Sequence, residues 1–154
     1  MTGVVGVTGH RVLEHPIYVV KARLRKLFSN KLKPSLVITG MAIGFDQVVA
    51  DFCMENNIPF LAAVPFVGQE SLWLDPVKAS YRNLLDHATE VVVVNTGEYE
   101  PWKLMARNQW IVDRSDALVE YLLHEHGGTW DCHNRIVTTG KPVYNIGHSL
   151  AGVL

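Results

Sequence analysis

Short runs of β-branched and other apolar residues recur along this chain, and the first two stop at a threonine and a glycine before an amphipathic segment begins. Val4-Val5-Gly6-Val7 runs into Thr8-Gly9-His10-Arg11, and Leu36-Val37-Ile38-Thr39 runs into Gly40-Met41-Ala42-Ile43-Gly44-Phe45-Asp46. Apolar runs that do not alternate with polar residues read as strands covered on both faces, which is the condition of a parallel sheet between helical layers. Their alternation with segments of helical period confines the chain to an α/β architecture. The expectation is a single-domain, three-layer sandwich with a mostly parallel sheet, occupying 1–154.

The pattern predicts strands over 4–7, 36–39, 60–64, 91–94, 117–123 and 141–146. Helices are expected over 16–29, from 45 to about 56, from 75, over 101–114 and over 130–139. Val20, Leu24, Leu27 and Phe28 form the buried stripe of the first helix, and Phe45, Val48, Val49, Phe52 and Cys53 that of the second. Asp75-Pro76 reads as an N-cap followed by a first-position proline, ahead of Val77, Tyr81, Leu84 and Leu85. The four-valine run 91–94 suits a strand covered on both faces. On the fourth helix Trp102, Met105, Ala106 and Val112 read as inward-facing.

In an open α/β sheet, ligands bind in the crevice beyond the carboxyl ends of the strands. That rule places Thr8, Gly9, His10 and Arg11 at a crevice mouth, with Thr39, Gly40, Met41 and Gly44 on a second turn of the same design. The glycines permit close backbone approach, and the arginine fork suits phosphate or carboxylate. A tight turn with a solvated arginine is the simpler reading of the first motif. Asp46 falls in a first helical turn, where the helix dipole favours a carboxylate; it is also a candidate for ribose hydroxyls. The long 65–74 loop supplies Phe66 and Trp73 to stack on a base, Gln69 to pair with a base edge and Glu70 as a candidate acid or base. The two aromatics equally suit pinning the loop to the core. Asn108 and Asp113 are candidates for the crevice or for a subunit contact, and Gly127-Gly128-Thr129 forms a third glycine turn. His124, His126, Cys132 and His133 match no zinc-ligand spacing, so no metal ligand is assigned and the histidines read as polar groups near the ligand.

Acidic and basic side chains nearly balance, with a formal net charge of -1, which argues against nucleic acid as the main partner. Two cysteines make no disulfide framework and suit a reducing cytoplasm. No signal-peptide pattern or membrane-spanning run is read, and 102–114 is a candidate homo-oligomer face.

Together, Gly6-Val7-Thr8-Gly9-His10-Arg11, Thr39-Gly40-Met41-Ala42-Ile43-Gly44-Phe45-Asp46 and Pro65-Phe66 followed by Gln69-Glu70-x-x-Trp73 resemble the YpsA-like branch of the SLOG superfamily. Asn108, Val112-Asp113-Arg114-Ser115 and Gly127-Gly128-Thr129 extend the resemblance, which covers most of the chain. It implies a Rossmann-like domain similar to those of the DprA and LOG groups, and a nucleotide-type ligand in place of a fixed cofactor. By position it implies ligand contacts from Thr8, Gly9, Arg11, Gly40, Met41, Gly44, Asp46, Gln69, Glu70, Trp73 and the Gly127-Gly128-Thr129 turn. LOG enzymes carry P-G-G-x-G-T-x-x-E with a catalytic glutamate; here Cys132 stands at that place, so hydrolysis would need Glu70 or Asp46. The leading expectation is binding or sensing of a nucleotide or derivative, ADP-ribose-like, NAD-like or a nucleoside monophosphate. The alternatives are an N-glycosidic hydrolase that releases the base from a nucleoside 5'-monophosphate, and DprA-like binding of single-stranded DNA.

Overall fold

The computed structural model describes residues 2–149. Six parallel strands form its sheet: β1 (Thr2–Gly9), β2 (Lys33–Thr39), β3 (Phe60–Val64), β4 (Glu90–Val93), β5 (Ala117–Tyr121) and β6 (Val143–Asn145). Five helices connect them: α1 (Ile17–Asn30), α2 (Phe45–Glu55), α3 (Asp75–His87), α4 (Pro101–Arg114) and α5 (Gly127–Val137). Across the sheet the order is β4-β3-β2-β1-β5-β6. The chain winds outward from β1 to one edge, then returns to the other side of β1, where Val5 pairs with Val37 and with Ala117. The winding direction therefore reverses between β1 and β5, the position where a doubly wound sheet opens a crevice.

The two-residue period of the strands divides the core. Val5, Val7, Val37, Phe60, Ala62, Val64, Val119 and Tyr121 pack with α1, α2 and α3. Ile38, Leu61 and Ala63 meet Ile111 of α4, and Leu118 meets Val112, Cys132 and Ile136. Gly6 faces the second layer, where a Cβ would run into Ser115 and Ile111.

Several expectations change. The valine run at 91–94 is not covered on both faces: β4 pairs only with β3 at the sheet edge, and Val91 and Val93 are 43% and 45% exposed. An apolar run reports β propensity and does not tell a central strand from an edge strand. Asp75 is not the N-cap of α3. Leu74 holds that position, and no side chain caps the helix. Trp102 is 54% exposed, whereas Lys103, Arg107 and Asn108 are among the buried residues of α4. β5 stops at Tyr121, β6 is shorter than expected, and α5 begins at Gly127, three residues before Trp130. Gly127 opens α5 at a φ of +76°, a conformation glycine adopts without steric cost. Among the described residues, no helix is long and apolar enough to cross a membrane.

Candidate functional site

A cleft of about 640 Å³ lies beyond the carboxyl ends of β1 and β5. Its walls include Thr8, Gly9, His10 and Arg11 after β1, Asp46 at the start of α2, Phe66, Gln69 and Trp73 after β3, and Asn108 on α4. Gly127, Gly128 and Thr129, the first turn of α5, complete this set. Five other expected site residues, Thr39, Gly40, Met41, Gly44 and Glu70, do not line it.

The reason for the glycines is internal packing. A Cβ on Gly40 would meet the Arg107 guanidinium, and one on Gly44, at a φ of +94°, would meet the Arg11 backbone. Gly9 lines the cleft, but it also makes room for the Phe45 ring. Thr39 and Met41 shape the turn from behind. Thr39 Oγ1 donates to the Asp46 carbonyl (2.9 Å) and accepts from the Met41 N–H (3.2 Å). Gln47 Nε2 donates to the Met41 carbonyl at 3.2 Å, helping to hold this residue at its positive φ of 61°. Glu70 turns towards Arg82, with Oε2 3.9 Å from Nε.

Asp46 is 6% exposed, yet it borders the cleft. Oδ2 accepts the Ala42 N–H at 3.3 Å, while Oδ1 is buried with no hydrogen-bond partner. Burial pushes the carboxyl up to about 6, against the opposing pull of the Arg107 guanidinium and the Ala42 N–H. A buried carboxylate oxygen without a partner is costly, and a hydroxyl or amine brought in by a ligand would satisfy it.

Arg107, which the motif reading passed over as a site residue, is 7% exposed and lines the same cleft. Nη1 donates to the Gly40 carbonyl (2.8 Å) and Nε to Asn108 Oδ1 (3.2 Å). Asn108 Nδ2 in turn donates to the Gly128 carbonyl and Asp131 Oδ2, both at 3.1 Å. The glycine turn after β2 is thereby tied through α4 to the first turn of α5. Asp113 takes no part in this chain of bonds: it is exposed and accepts from Gln109 at 2.8 Å.

Aromatic groups form the far wall. Phe66 meets Tyr99 edge-on with ring centres 5.8 Å apart, and Trp73 meets Tyr81 the same way at 5.1 Å. The two donor hydrogens of Gln69 Nε2 serve the Gly40 carbonyl (3.3 Å) and Tyr81 Oη (3.0 Å), which leaves its side-chain carbonyl for a ligand. Tyr99 was not singled out in the sequence; the signal was an aromatic in the turn after a strand, the same signal that marked Phe66.

His10, His124 and His126 gather at the near wall beside Arg11 and Glu14. His124 Nε2 lies 2.5 Å from Glu14 Oε2, which joins the turn after β1 to the turn after β5. Cys132 is fully buried and hydrogen-bonded to Thr8. Burial pushes its thiol up to about 12, so it stays protonated and supplies no base. Among the described residues, no group of three or more histidine, cysteine or acidic side chains is arranged to hold a metal ion.

The model of the YspA SLOG family matches residues 7–139. An uncharacterized SPbeta prophage-derived protein, YoqJ of Bacillus subtilis, is 31% identical over 130 residues, covering 73% of this chain and 72% of that protein. UPF0398 protein OB1025 of Oceanobacillus iheyensis is 28% identical over 158 residues, covering 91% and 86%. Among solved structures, DNA processing protein A (DprA) from Streptococcus pneumoniae superposes with a TM-score of 0.72 at 18% identity, over 96% of this chain and 51% of that one. DprA from Helicobacter pylori, whose structure describes a single-stranded DNA binding mode, gives 0.63 at 17% identity, over 91% and 63%. This chain therefore spans about half to under two-thirds of those two DprA chains, and at such identities the likeness is one of fold.

Proposed function

The chain belongs to the YspA SLOG family, and on that footing we propose that its cleft binds a nucleotide or nucleotide derivative. The observation that carries this reading is the buried, unpartnered Asp46 Oδ1 in a cleft whose near wall is a helix N-terminus with basic side chains. The first-turn amides of α5 and Arg11 receive phosphate. Asp46 accepts sugar hydroxyls, and Phe66, Tyr99 and Trp73 stack on or against the base. A cleft of about 640 Å³ suits a ligand of that size. The domain acts as a binding or sensing module.

Calorimetry with AMP, ADP, NAD, ADP-ribose and a short oligothymidylate tests this. The expected result is saturable binding of at least one of the four nucleotides, lost in Asp46→Ala. Binding of the oligothymidylate alone, with steep salt dependence, would favour nucleic acid and overturn the nucleotide reading.

A second reading, N-glycosidic hydrolysis, is favoured by one feature: Asp46 places a carboxylate on the cleft wall, where it would stabilise an oxocarbenium-like state. Release of free base from a nucleoside monophosphate, abolished by Asp46→Asn, would establish it. Intact nucleotide after prolonged incubation with saturating protein would exclude it.

A further inference from the structure

The rings of His10, His124 and His126 lie at mutual centroid distances of 5.6, 5.7 and 5.7 Å, all against the cleft. His124 and His126 are nearly parallel, with an interplanar angle of 7°. We propose that these three imidazoles and the first turn of α5 form a proton-coupled clamp for the phosphate of the bound nucleotide. This inference rests on the cleft being a nucleotide site, and it assigns the end of the cleft that takes the charged group.

The three rings have different roles. His10 Nε2 accepts two backbone hydrogen bonds, from Leu123 N–H (2.9 Å) and His124 N–H (3.1 Å). Its proton is thereby confined to Nδ1, and a second proton would break both bonds. Burial lowers its pKa, and His124 and His126 lower it further. His10 thus serves as a neutral donor and as a brace for the turn after β5. His124 and His126 are exposed, with their nitrogens free of backbone bonds of this kind. They are the two rings left to meet the phosphate.

The neighbouring charges set the direction of the effect. Glu14 bonds His124, Arg11 lies on the same turn as His10, and Glu125 sits between the two exposed histidines in sequence. Tyr121 meets His10 edge-on at 6.5 Å, and Asp46 and Arg107 face the cleft from α2 and α4. Glu14 already serves His124, with Oε2 2.5 Å from Nε2, so among the described residues the exposed ring bonded to no acidic side chain is that of His126, beside the first turn of α5 where a phosphate would meet it. His126 is the N-cap of α5, but its side chain makes no capping bond, so no capping side chain competes for the first-turn amides. The unpartnered Asp46 Oδ1 in the same cavity independently indicates that a ligand completes it. Proton uptake and phosphate binding therefore reinforce each other.

The test uses ADP-ribose, whose pyrophosphate keeps its charge over the range examined, with adenosine as the uncharged control. Calorimetry is run between about pH 5.5 and about pH 8, where histidine changes charge. ADP-ribose is expected to bind at least about tenfold more tightly at the acid end, as charge-assisted hydrogen bonds replace neutral ones. Adenosine shares the Asp46 contact but carries no phosphate, so its affinity should show no rise at the acid end, where the Asp46 carboxyl, held at about 6, becomes protonated and accepts less strongly. The His124→Gln/His126→Gln variant should bind ADP-ribose at the acid end only as weakly as the unsubstituted protein does at the alkaline end. The imidazole carbon–proton NMR signals of His124 and His126 should move on addition of inorganic phosphate. ADP-ribose binding without pH dependence, or with dependence kept in the double variant, overturns the clamp and leaves the nucleotide site standing. Absence of any nucleotide binding overturns both.

Discussion

Burial holds the Asp46 carboxyl at about 6, well above the 3.8 of a solvated one. The folded protein therefore binds more protons than the unfolded chain between those values. Stability from this group is greatest below the unfolded value and falls as pH rises through the folded one. At pH 8 the ionised form costs up to about 3 kcal/mol. Asp46→Asn should raise the unfolding free energy at pH 8 by about 1–3 kcal/mol, with the gain shrinking towards pH 4, while nucleotide binding is lost. Denaturant melts across that range check it; a destabilised variant at pH 8 would mean that charge pairing with Arg107 outweighs desolvation. Gly44 makes a second test. Its φ of +94° and the Arg11 backbone beside it leave no room for a side chain, so Gly44→Ala should cost at least about 2 kcal/mol. Asp46 was legible in the sequence because a carboxylate beside a glycine turn is conspicuous. The purposes of Gly40 and Gly44 were not: a glycine that admits a ligand and one that admits the chain's own Arg107 or Arg11 look alike until the tertiary neighbours are known.

Helix α4 sets the far side of the cleft through a residue that never touches it. Lys103, 3% exposed, donates from Nζ to the Thr96 carbonyl at 2.7 Å and to the Glu98 carbonyl, and lies 3.5 Å from Glu100 Oε2. These contacts gather the turn that presents Tyr99. Lys103→Met keeps the aliphatic stem and removes the donors. It should speed amide hydrogen exchange over 95–100 and weaken nucleotide binding several-fold, with a modest loss of stability of about 1–3 kcal/mol. Unchanged exchange in that turn would show that Lys103 does not organise it. The same helix explains part of what its sequence concealed. Lys103, Arg107 and Asn108 occupy its inward face to bond loops and neighbouring helices, so the apolar pattern of its sequence is out of phase with the buried face and Trp102 lies outward. Helix α1 carries no such burden, and its buried stripe of Val20, Leu24, Leu27 and Phe28 follows the expected phase.

At the scale of the molecule, the cleft draws its walls from the turns after β1, β3 and β5 and from α2, α4 and α5. A ligand there bridges segments on both faces of the sheet and stabilises the native state as a whole. At a hundred times its Kd, a nucleotide should add about 2.7 kcal/mol, or a Tm increase of about 5–10 °C. Thermal melts with and without ADP-ribose measure this, and a Tm that does not move at saturation would place the ligand off the native structure. The α/β class and the parallel sheet were legible because covered strands and amphipathic helices follow different periods. The lateral position of β4 was not, since pairing partners are set by winding and not by composition.

That winding also fixes when the site can exist. The near wall is made from residues 8–14 and 124–129, at opposite ends of the described chain, and β1 reaches its second neighbour only when β5 is in place. During synthesis the amino-terminal half of the cleft must wait, with one flank of its central strand unpaired, until nearly the whole domain has left the ribosome. A truncated polypeptide ending before β5 would carry half a binding surface and an adhesive strand edge.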